Sequence, residues 1–369
     1  MEQKKLFSQH VSGIFNKFYI WSKTSFSCVK FSLRTIKRLR IIGGGYPISS
    51  KEFKEVKKYW KKYGIKPKKY WFKLYADRTK VVDPRYISDT LWHKRILPYY
   101  NNLMFMRAYT DKGMLERFLP MALQPHTVVK NVAGIFYSDD NQIISLEEAK
   151  NLCKQYDCLI FKPSIDSGAG QMIHFYDKKD MDESIIYDYF NMFASNYVVQ
   201  EIVQQHSELS TIHSKSLNTV RVISFLFKGK VHILSAQLRM GAGDARIDNY
   251  TAGGIACSIK DDGYLEDEAI TKQYTWTDHH PSGIKFNTIR VPSYDKIIKE
   301  IKQYHPMLPH FSIIGWDFAV DNNGNPVLVE FNVTPAQNEI GSKCPSFGNL
   351  TEEVLEDVFV SQTLKDRFS

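Results

Sequence analysis

The sequence predicts an α+β protein of two modules preceded by a basic, mainly helical region, and three observations carry this. After about residue 204 the chain changes texture: TVRVISFLF, KVHILSAQLRM, GGIACSI, IIGWDFAV and PVLVEFN read as strands, with DKIIKEIKQYH the one helix among them. Between 111 and 203, strand-like and helical stretches alternate on a smaller scale. Charge is segregated as well: residues 1–90 hold 22 Lys and Arg against 6 Asp and Glu, a balance of +16, while the remainder carries 27 against 34, or −7. The predicted segments are therefore 1–110, 111–203 and 204–369.

In order along the chain, Phe7, Val11, Ile14, Phe15 and Phe18 recur at helical spacing. Lys30, Arg34, Lys37, Arg38 and Arg40 follow among Phe31, Leu33, Ile36 and Leu39, until Gly43-Gly44-Gly45 and Pro47 end the pattern. Such a segment suits an anionic membrane surface, or equally a solvated helix packed on its own domain. No nucleic-acid-binding motif accompanies the charge. KEFKEVKKYWKKY reads as a solvated helix with i,i+4 charge pairs and one apolar stripe. KGMLERFL is a helix halted before Pro120, and HTVVKNVAGIFY is strand-rich. In SLEEAKNLCKQY a Ser with a Glu three residues on forms a capping box. CLIFKP and QMIHFYD are strands around DSGAG, MDESIIYDYFNMFA is a helix, and YVVQEIVQQ leads into the second module.

At 369 residues, 43% hydrophobic and 24% charged, the composition is that of a globular protein with a sizeable core. Cys28, Cys153, Cys158, Cys257 and Cys344 are odd in number and scattered, with no Cys-x-x-Cys. That argues against a disulfide framework or thiolate zinc site and for a reducing, cytoplasmic setting. No run of about 18 apolar residues predicts a membrane span. Lys17, Lys23 and Lys30 interrupt every apolar stretch that would make a secretory signal. His206, His213 and His279-His280 have no ligand spacing with Cys or Glu and read as loop or surface residues.

The chemistry concentrates in GWDFAVDNNGNPVLVEFNVTP, residues 315–335. Asn323-Gly324 favours a two-residue type I′ turn. That register pairs Val320 with Val327 and Asp317 with Glu330, and sets Pro326 opposite Asp321 where no ladder bond is needed. Phe318, Val320, Val327, Val329 and Phe331 then share one face, with Asp317, Glu330 and Asn332 on the other. Like charges directly opposite destabilise a sheet, so a compensating charge is required. A hard divalent cation fits this all-oxygen set; a protonated carboxyl or an acidic pair on a solvated face are the alternatives. Upstream, KPSIDSGAGQ places Lys162 at a strand end before a loop of small residues whose amides suit phosphate oxygens, without the pattern of a Walker loop.

Loop and hairpin together resemble the ATP-grasp superfamily over roughly residues 111–340. The Asp-x12-Glu-x-Asn spacing of Asp317, Glu330 and Asn332 is its most specific part, and the resemblance implies that they bind Mg²⁺. It further implies that Lys112, in an Asp-Lys pair, and Lys162 contact the nucleotide, with Ser167, Gly168 and Gly170 around the phosphates. Gln200, Glu201 and the Val203 amide would serve adenine, and Glu208 the ribose. SLNTVRVISF and LSAQLRMGAGDARIDNYTAGGIACSI resemble the sugar-transfer-associated, or hexapeptide-transferase-like, ATP-grasp family linked to surface polysaccharide assembly. On that pattern Arg221, Arg239, Asn249 and Gly253-Gly254 map onto the strands and loop flanking the γ-phosphate, and Arg221, Arg239 and Asn249 are the catalytic set. No N-terminal α/β domain of the kind many ATP-grasp ligases carry is evident in the first 100 residues.

The implied activity is ATP- and Mg²⁺-dependent ligation of a carboxylate to an amine through an acylphosphate. The expected partners are a carboxylate-bearing sugar or glycan and an amine or amino acid, with a capsule or other surface polysaccharide as the end product and no nucleic acid. The expected location is cytoplasmic, in peripheral contact with the inner membrane face through the basic N-terminus. A sugar kinase and a non-catalytic nucleotide-binding scaffold remain as alternatives.

Overall fold

The structure is a computed structural model that describes residues 31–165, 172–249, 253–337 and 343–360. The periodic Phe7–Phe18 stretch, Cys28, and the loop residues Ser167, Gly168 and Gly170 lie outside the described residues. Two compact units are present: one holds the described residues up to Tyr99 with those from Ala336 onward, the other is Tyr100–Pro335. Division of the chain at 110 and 203 stays a proposal about modules. Both sheets fall in the second unit, and the helix Thr351–Phe359 falls in the first.

In the first unit, residues 31–41 are helical. Gly43, Gly44 and Gly45 then take φ of 72°, 97° and 69°. A Cβ on Gly45 would sit 2.6 Å from the Lys73 carbonyl oxygen, so glycine alone fits there. The helix Ser50–Lys61 opens on a capping box between Ser49 and Glu52 and buries Val56 and Trp60, which is the single apolar stripe its sequence shows. Lys69–Thr79 buries Trp71, Phe72, Leu74, Tyr75 and Ala76. The rings of Trp71, Tyr75 and Tyr86 stack in series, with centroids 6.1 and 5.3 Å apart.

The second unit contains two antiparallel sheets. The smaller is formed by β1 (Thr127–Val132), β2 (Ile135–Ser138), β3 (Ile143–Ile144), β4 (Cys158–Pro163), β5 (His174–Asp177) and β6 (Tyr197–Glu201) in the order β3-β2-β1-β6-β4-β5. Two helices cover one face. Leu146–Cys153 opens on the expected Ser145–Glu148 capping box and contributes Ala149 and Cys153, while Ser184–Met192 contributes Ile186 and Phe190. Val129, Leu159, Phe161, Tyr197 and Val199 meet them in the core. Strand alternation therefore sends Lys130, Ile160, Lys162, Val198 and Gln200 to the opposite face, and cross-strand pairing sets Lys130 and Lys162 on either side of Val198.

The larger sheet has the order β11-β10-β9-β8-β7-β12-β13. Its strands are β7 (Thr219–Phe227), β8 (Lys230–Met240), β9 (Ile255–Ile259), β10 (Leu265–Ile270), β11 (Trp276–Thr277), β12 (Ile313–Val320) and β13 (Pro326–Asn332). The amphipathic helix Tyr294–Tyr304 lays Tyr294, Ile297, Ile301 and Tyr304 into a core shared with Val220, Val222, Leu238, Trp316 and Phe318. The other face of this sheet carries the charged side chains of the site.

Candidate functional site

Asp317 does pair with Glu330, but not by the expected route. The turn takes three loop residues instead of two: Asp321 N–H donates to the Asn325 carbonyl at 3.0 Å, and only Gly324 has positive φ, at 78°. The cause is Asp321, whose Oδ1 accepts from the amides of Asn323 (2.9 Å) and Asn325 (2.7 Å), capturing the loop before an Asn-Gly turn can form. Val320 consequently faces Pro326, Ala319 faces Val327 and Phe318 faces Leu328. A bulge at Val329 then absorbs the extra residue and restores the predicted pairing at Asp317. This corrects the expected face: Leu328, not Val327 or Val329, joins Phe318 and Phe331 in the core. Pro326 is tolerated because β13 is an edge strand.

Within the protein, compensating charge comes from Arg221, Arg239 and Lys112, a source not among those the sequence suggested. Arg221 lies beside Asp317 in register on β7, and its Nε and Nη2 donate to the two Asp317 oxygens, each at 2.5 Å. Such a fork-to-fork pair fixes both planes. Arg239 on β8 approaches Asp317 Oδ1 at 3.4 Å, and Lys112 Nζ lies 3.1 Å from Glu330 Oε2. Burial would push the Asp317 carboxyl up, but Arg221 and Arg239 outweigh it and hold it below the usual carboxylate range. Burial, together with the Arg221 charge, pulls Arg239 down. Asn332 faces Gly315 in register, and a Cβ on Gly315 would crowd the Asn332 amide at 3.3 Å. Glycine there leaves the amide room beside the acids.

On the small sheet, Asp111 Oδ1 accepts from Gly113 N–H at 2.8 Å, and Lys112 N–H donates to the Ser164 carbonyl at 3.0 Å. The Asp-Lys turn is thus pinned to the end of β4, the strand that carries Lys162. Burial, then the Lys112 charge, brings Lys162 down to about 8, against the pull of Glu330. Gln200 is buried on the same sheet face, its Nε2 donating to Thr127 Oγ1 at 2.9 Å while its Oε1 has no partner among the described residues. Glu201 is exposed, Val203 half-buried, and Glu208 exposed in the first turn of the helix Ser207–Ile212. These three are not gathered with the charged row by any contact described.

Residues 95–341, well over half of the chain, match the family described as sugar-transfer associated ATP-grasp. The chain belongs to this ATP-grasp family. No curated protein matches it. Among solved structures it is similar to the biotin carboxylase–β,γ-ATP complex of Campylobacter jejuni, at 12% identity over 69% of this chain and 46% of that one, with a TM-score of 0.43. It is also similar to an L-amino acid ligase of Bacillus licheniformis, at 12% identity, 68% and 48% coverage and a TM-score of 0.38. A third likeness is to N5-carboxyaminoimidazole synthetase of Staphylococcus aureus complexed with ADP, at 10% identity, 62% and 45% coverage and a TM-score of 0.37. The chain spans about half the length of these three structures. Likenesses this distant add nothing to what the family match shows.

Two residues near this charged row, Asp248 and Lys130, were not singled out in the sequence. Asp248, half-buried beside Arg239, accepts from Thr219 N–H at 3.0 Å and from Thr219 Oγ1, tying the β8–β9 connection to the start of β7. Burial raises it to about 6, against the pull of Arg239. Asn249, half-buried, gives its carbonyl to Gly254 N–H at 3.1 Å. His213 and His280 lie in loops as expected, but both are buried, which corrects the surface half of their reading. His213 Nε2 donates to the Gly243 carbonyl (3.1 Å) and His280 Nε2 to the Gly241 carbonyl (2.8 Å). Each Nδ1 accepts a nearby amide, from Ser216 or Ser282, so both rings are neutral Nε2–H tautomers that grip the root of this connection. Lys130, buried in the apolar run TVVKNV, pairs with Glu116 and donates to Asn141 Oδ1 at 2.6 Å. A lysine inside such a strand was the one available signal.

Two observations test the fit of the implied groups. The unpartnered Gln200 Oε1 suits a donor such as the adenine amino group. Asp317, Glu330 and Asn332 offer only oxygen donors from one sheet face, as Mg²⁺ requires, with Asp317 shared with Arg221. Among the described residues no group of three His, Cys, Asp or Glu forms a metal cluster; the third donor here is an amide.

Proposed function

We propose that the chain is an ATP- and Mg²⁺-dependent carboxylate–amine ligase acting on a carboxylate-bearing sugar, glycan or lipid-linked precursor in surface polysaccharide assembly. The observation that carries this reading is the charge balance of the site: Lys112, Lys162, Arg221 and Arg239 against Asp317, Glu330 and Asp248. Four cations against three acids leave a positive excess that suits a polyphosphate. No nucleophile triad is needed, because phosphoryl transfer relies on positioning and charge neutralisation.

In this reaction a carboxylate oxygen takes the γ-phosphorus of ATP as the bond to ADP breaks, giving an acylphosphate. An amine lone pair then attacks the acyl carbon, the bond to phosphate breaks, and the amine sheds a proton as the amide and inorganic phosphate form. Arg221, held in one plane by Asp317, and Arg239 neutralise the charge that develops on the transferred group. Lys112 and Lys162 hold the nucleotide phosphates, with the amides of Ser167, Gly168 and Gly170. Gln200, Glu201 and the Val203 amide orient adenine, Glu208 the ribose, and Asn249 the transferred group. Mg²⁺ on Glu330, Asn332 and Asp317 would supply neutralisation of phosphate oxygens.

No helix among the described residues is long and apolar enough to cross a membrane. Peripheral contact of the basic N-terminal region with an anionic inner leaflet belongs to the same proposal. Incubation with ATP, Mg²⁺, glucuronate and a panel of amines tests the activity. ADP with an amide supports the ligase; ADP with a phosphosugar replaces it by a kinase, and nucleotide binding without turnover by a scaffold.

A further inference from the structure

The face of the large sheet that carries Asp317 and Arg221 does not end at the arginines. Cross-strand register continues it toward β11 in two rows. One runs from Asp317 through Arg221 and Gln237 to Ser258. The other runs from Thr219 through Arg239, Ala256 and Ile270 to Trp276. Leu238, Cys257 and Ala269, which alternate with these positions, all lie in the core on the opposite face. Gln237, Ser258 and Trp276 are half-buried, and the Gln237 side chain makes no hydrogen bond to another described residue. Ala256 and Ile270, 8% and 6% exposed, form an apolar floor between Arg239 and Trp276. Leu265 faces Ile259 and Ala269 faces Cys257, so the bulge of β10 sets Glu266, Asp267 and Glu268 opposite Ser258. The surface is therefore polarised, with guanidinium groups at one end, carboxylates at the other, and an amide, a hydroxyl and an indole between them. Apart from the two arginines and Asp317, the proposed reaction leaves it unused.

We propose that the surface from Arg239 to Trp276 binds an oligosaccharide ending in a sugar acid, in preference to the free sugar acid. The terminal carboxylate meets the arginines. Sugar hydroxyls meet Gln237, whose amide both donates and accepts, and the acids of β10, which accept. The apolar C–H face of a ring packs on the indole. Length decides between a monomer and a chain. With strands about 4.8 Å apart, Trp276 lies three strands and about 14 Å from Arg239, farther than one pyranose ring spans. A second ring reaches it. Other ligand classes fit less well. A plain hydrocarbon would leave the Gln237 amide unsatisfied. A second polyphosphate would meet the acids of β10. An α-amino acid holds its opposite charges too close together to meet both ends. That the carboxylate at Arg239 is the one activated by ATP rests on the ligase reading; the preference for a chain does not.

The test is calorimetric titration of the full-length protein with glucuronate, with the disaccharide glucuronosyl-N-acetylglucosamine, and with lactose as the neutral control. The disaccharide should bind saturably, about fivefold tighter than glucuronate through the ring on Trp276. Lactose should be about tenfold weaker than the acidic disaccharide, for want of the charge-assisted contact. Trp276→Leu should remove the gain of the second ring and leave glucuronate unchanged. Gln237→Leu should weaken both acids about fivefold. Both variants should bind ATP like the unaltered protein, which checks that they fold. Absence of saturable disaccharide binding, no gain over glucuronate, or a gain that survives Trp276→Leu overturns the proposal. The expected length preference without amide formation from ATP and an amine counts against the ligase reading alone. Amide formation on the disaccharide that both variants leave unaltered counts against this surface alone.

Discussion

Asp317 is an acid kept ionised out of water by two guanidinium groups, and the pair with Arg221 is costly to break from one side only. Arg221→Met leaves a buried carboxylate without its partner and should cost about 3–5 kcal/mol in urea unfolding, whereas Arg221→Met/Asp317→Leu should recover most of that loss. Equal losses in both variants would mean that the pair is not coupled. Lys162 poses the opposite case: with its ammonium brought down to about 8 by burial and Lys112, it is partly neutral just above physiological pH. A bound triphosphate favours the charged form and moves this value back up, so nucleotide binding at about pH 8 takes up protons, and affinity falls as pH rises through that value. Calorimetry of ATP binding in two buffers of different ionisation enthalpy should show the uptake. It should be missing in Lys162→Met; uptake that persists there assigns the proton elsewhere. His305, buried under the large sheet between Ser224 Oγ (2.7 Å) and the Phe311 carbonyl (3.1 Å), is pushed down to about 4 by burial. Because its folded value lies below the unfolded 6.5, the native state binds fewer protons, and stability declines as pH falls from about 6.5 toward 4. His305→Asn should flatten that part of the unfolding profile, and an unchanged slope would exclude the residue as its source.

At the scale of elements, what the sequence made legible was whatever local chemistry decides. The Ser145 capping box, the amphipathic helix Tyr294–Tyr304 and the apolar strands of both sheets follow from periodicity and caps, with no knowledge of their neighbours. The hairpin shows where such reading stops. Two departures, a third turn residue held by Asp321 and a bulge at Val329, offset each other, so the pairing from Asp317–Glu330 to Gly315–Asn332 was right although the register between it and the turn was not. The cations that balance the acids were individually visible as Lys112, Arg221 and Arg239. Their partnership was not, since it depends on which strands lie side by side. His213, His280 and Asp248 were illegible for the same reason: each acts on backbone far away in sequence. The bulge gives a direct test of register. Deleting Val329 removes the surplus residue and leaves Glu330 opposite Asp317, so folding and ATP binding should survive. Inserting one alanine after Val329 turns Glu330 toward the core and should abolish ATP binding with a lower urea midpoint. The reverse pattern would mean that the acids do not work as a facing pair.

For the whole molecule, the charge segregation of the sequence coincides with a division of labour between units: the acidic balance belongs to the part that carries both sheets, the basic one to the helical part. Part of that basic charge is arranged on a surface. In the helix over residues 31–41, Leu33 and Ile41 are 61% and 49% exposed, and Arg34, Lys37 and Arg40 are exposed beside them. Leu33, Lys37, Arg40 and Ile41 fall at helical i, i+4, i+7 and i+8 spacing, so one outer face offers two apolar anchors among cations. Aliphatic side chains are also exposed singly on solvated helices, whereas the proposed contact with an anionic leaflet would bury both. Each basic residue near such a surface contributes about 1 kcal/mol, so Arg34→Gln/Lys37→Gln/Arg40→Gln should lower partitioning onto phosphatidylserine vesicles by roughly two orders of magnitude. Flotation of the full chain should weaken with added salt as screening shortens the reach of these charges. Leu33→Glu/Ile41→Glu should weaken it without changing the number of cations. If the triple variant and a chain beginning at residue 46 both float like the full-length protein, the helix face plays no part in membrane contact and its charge serves the solvated helix alone.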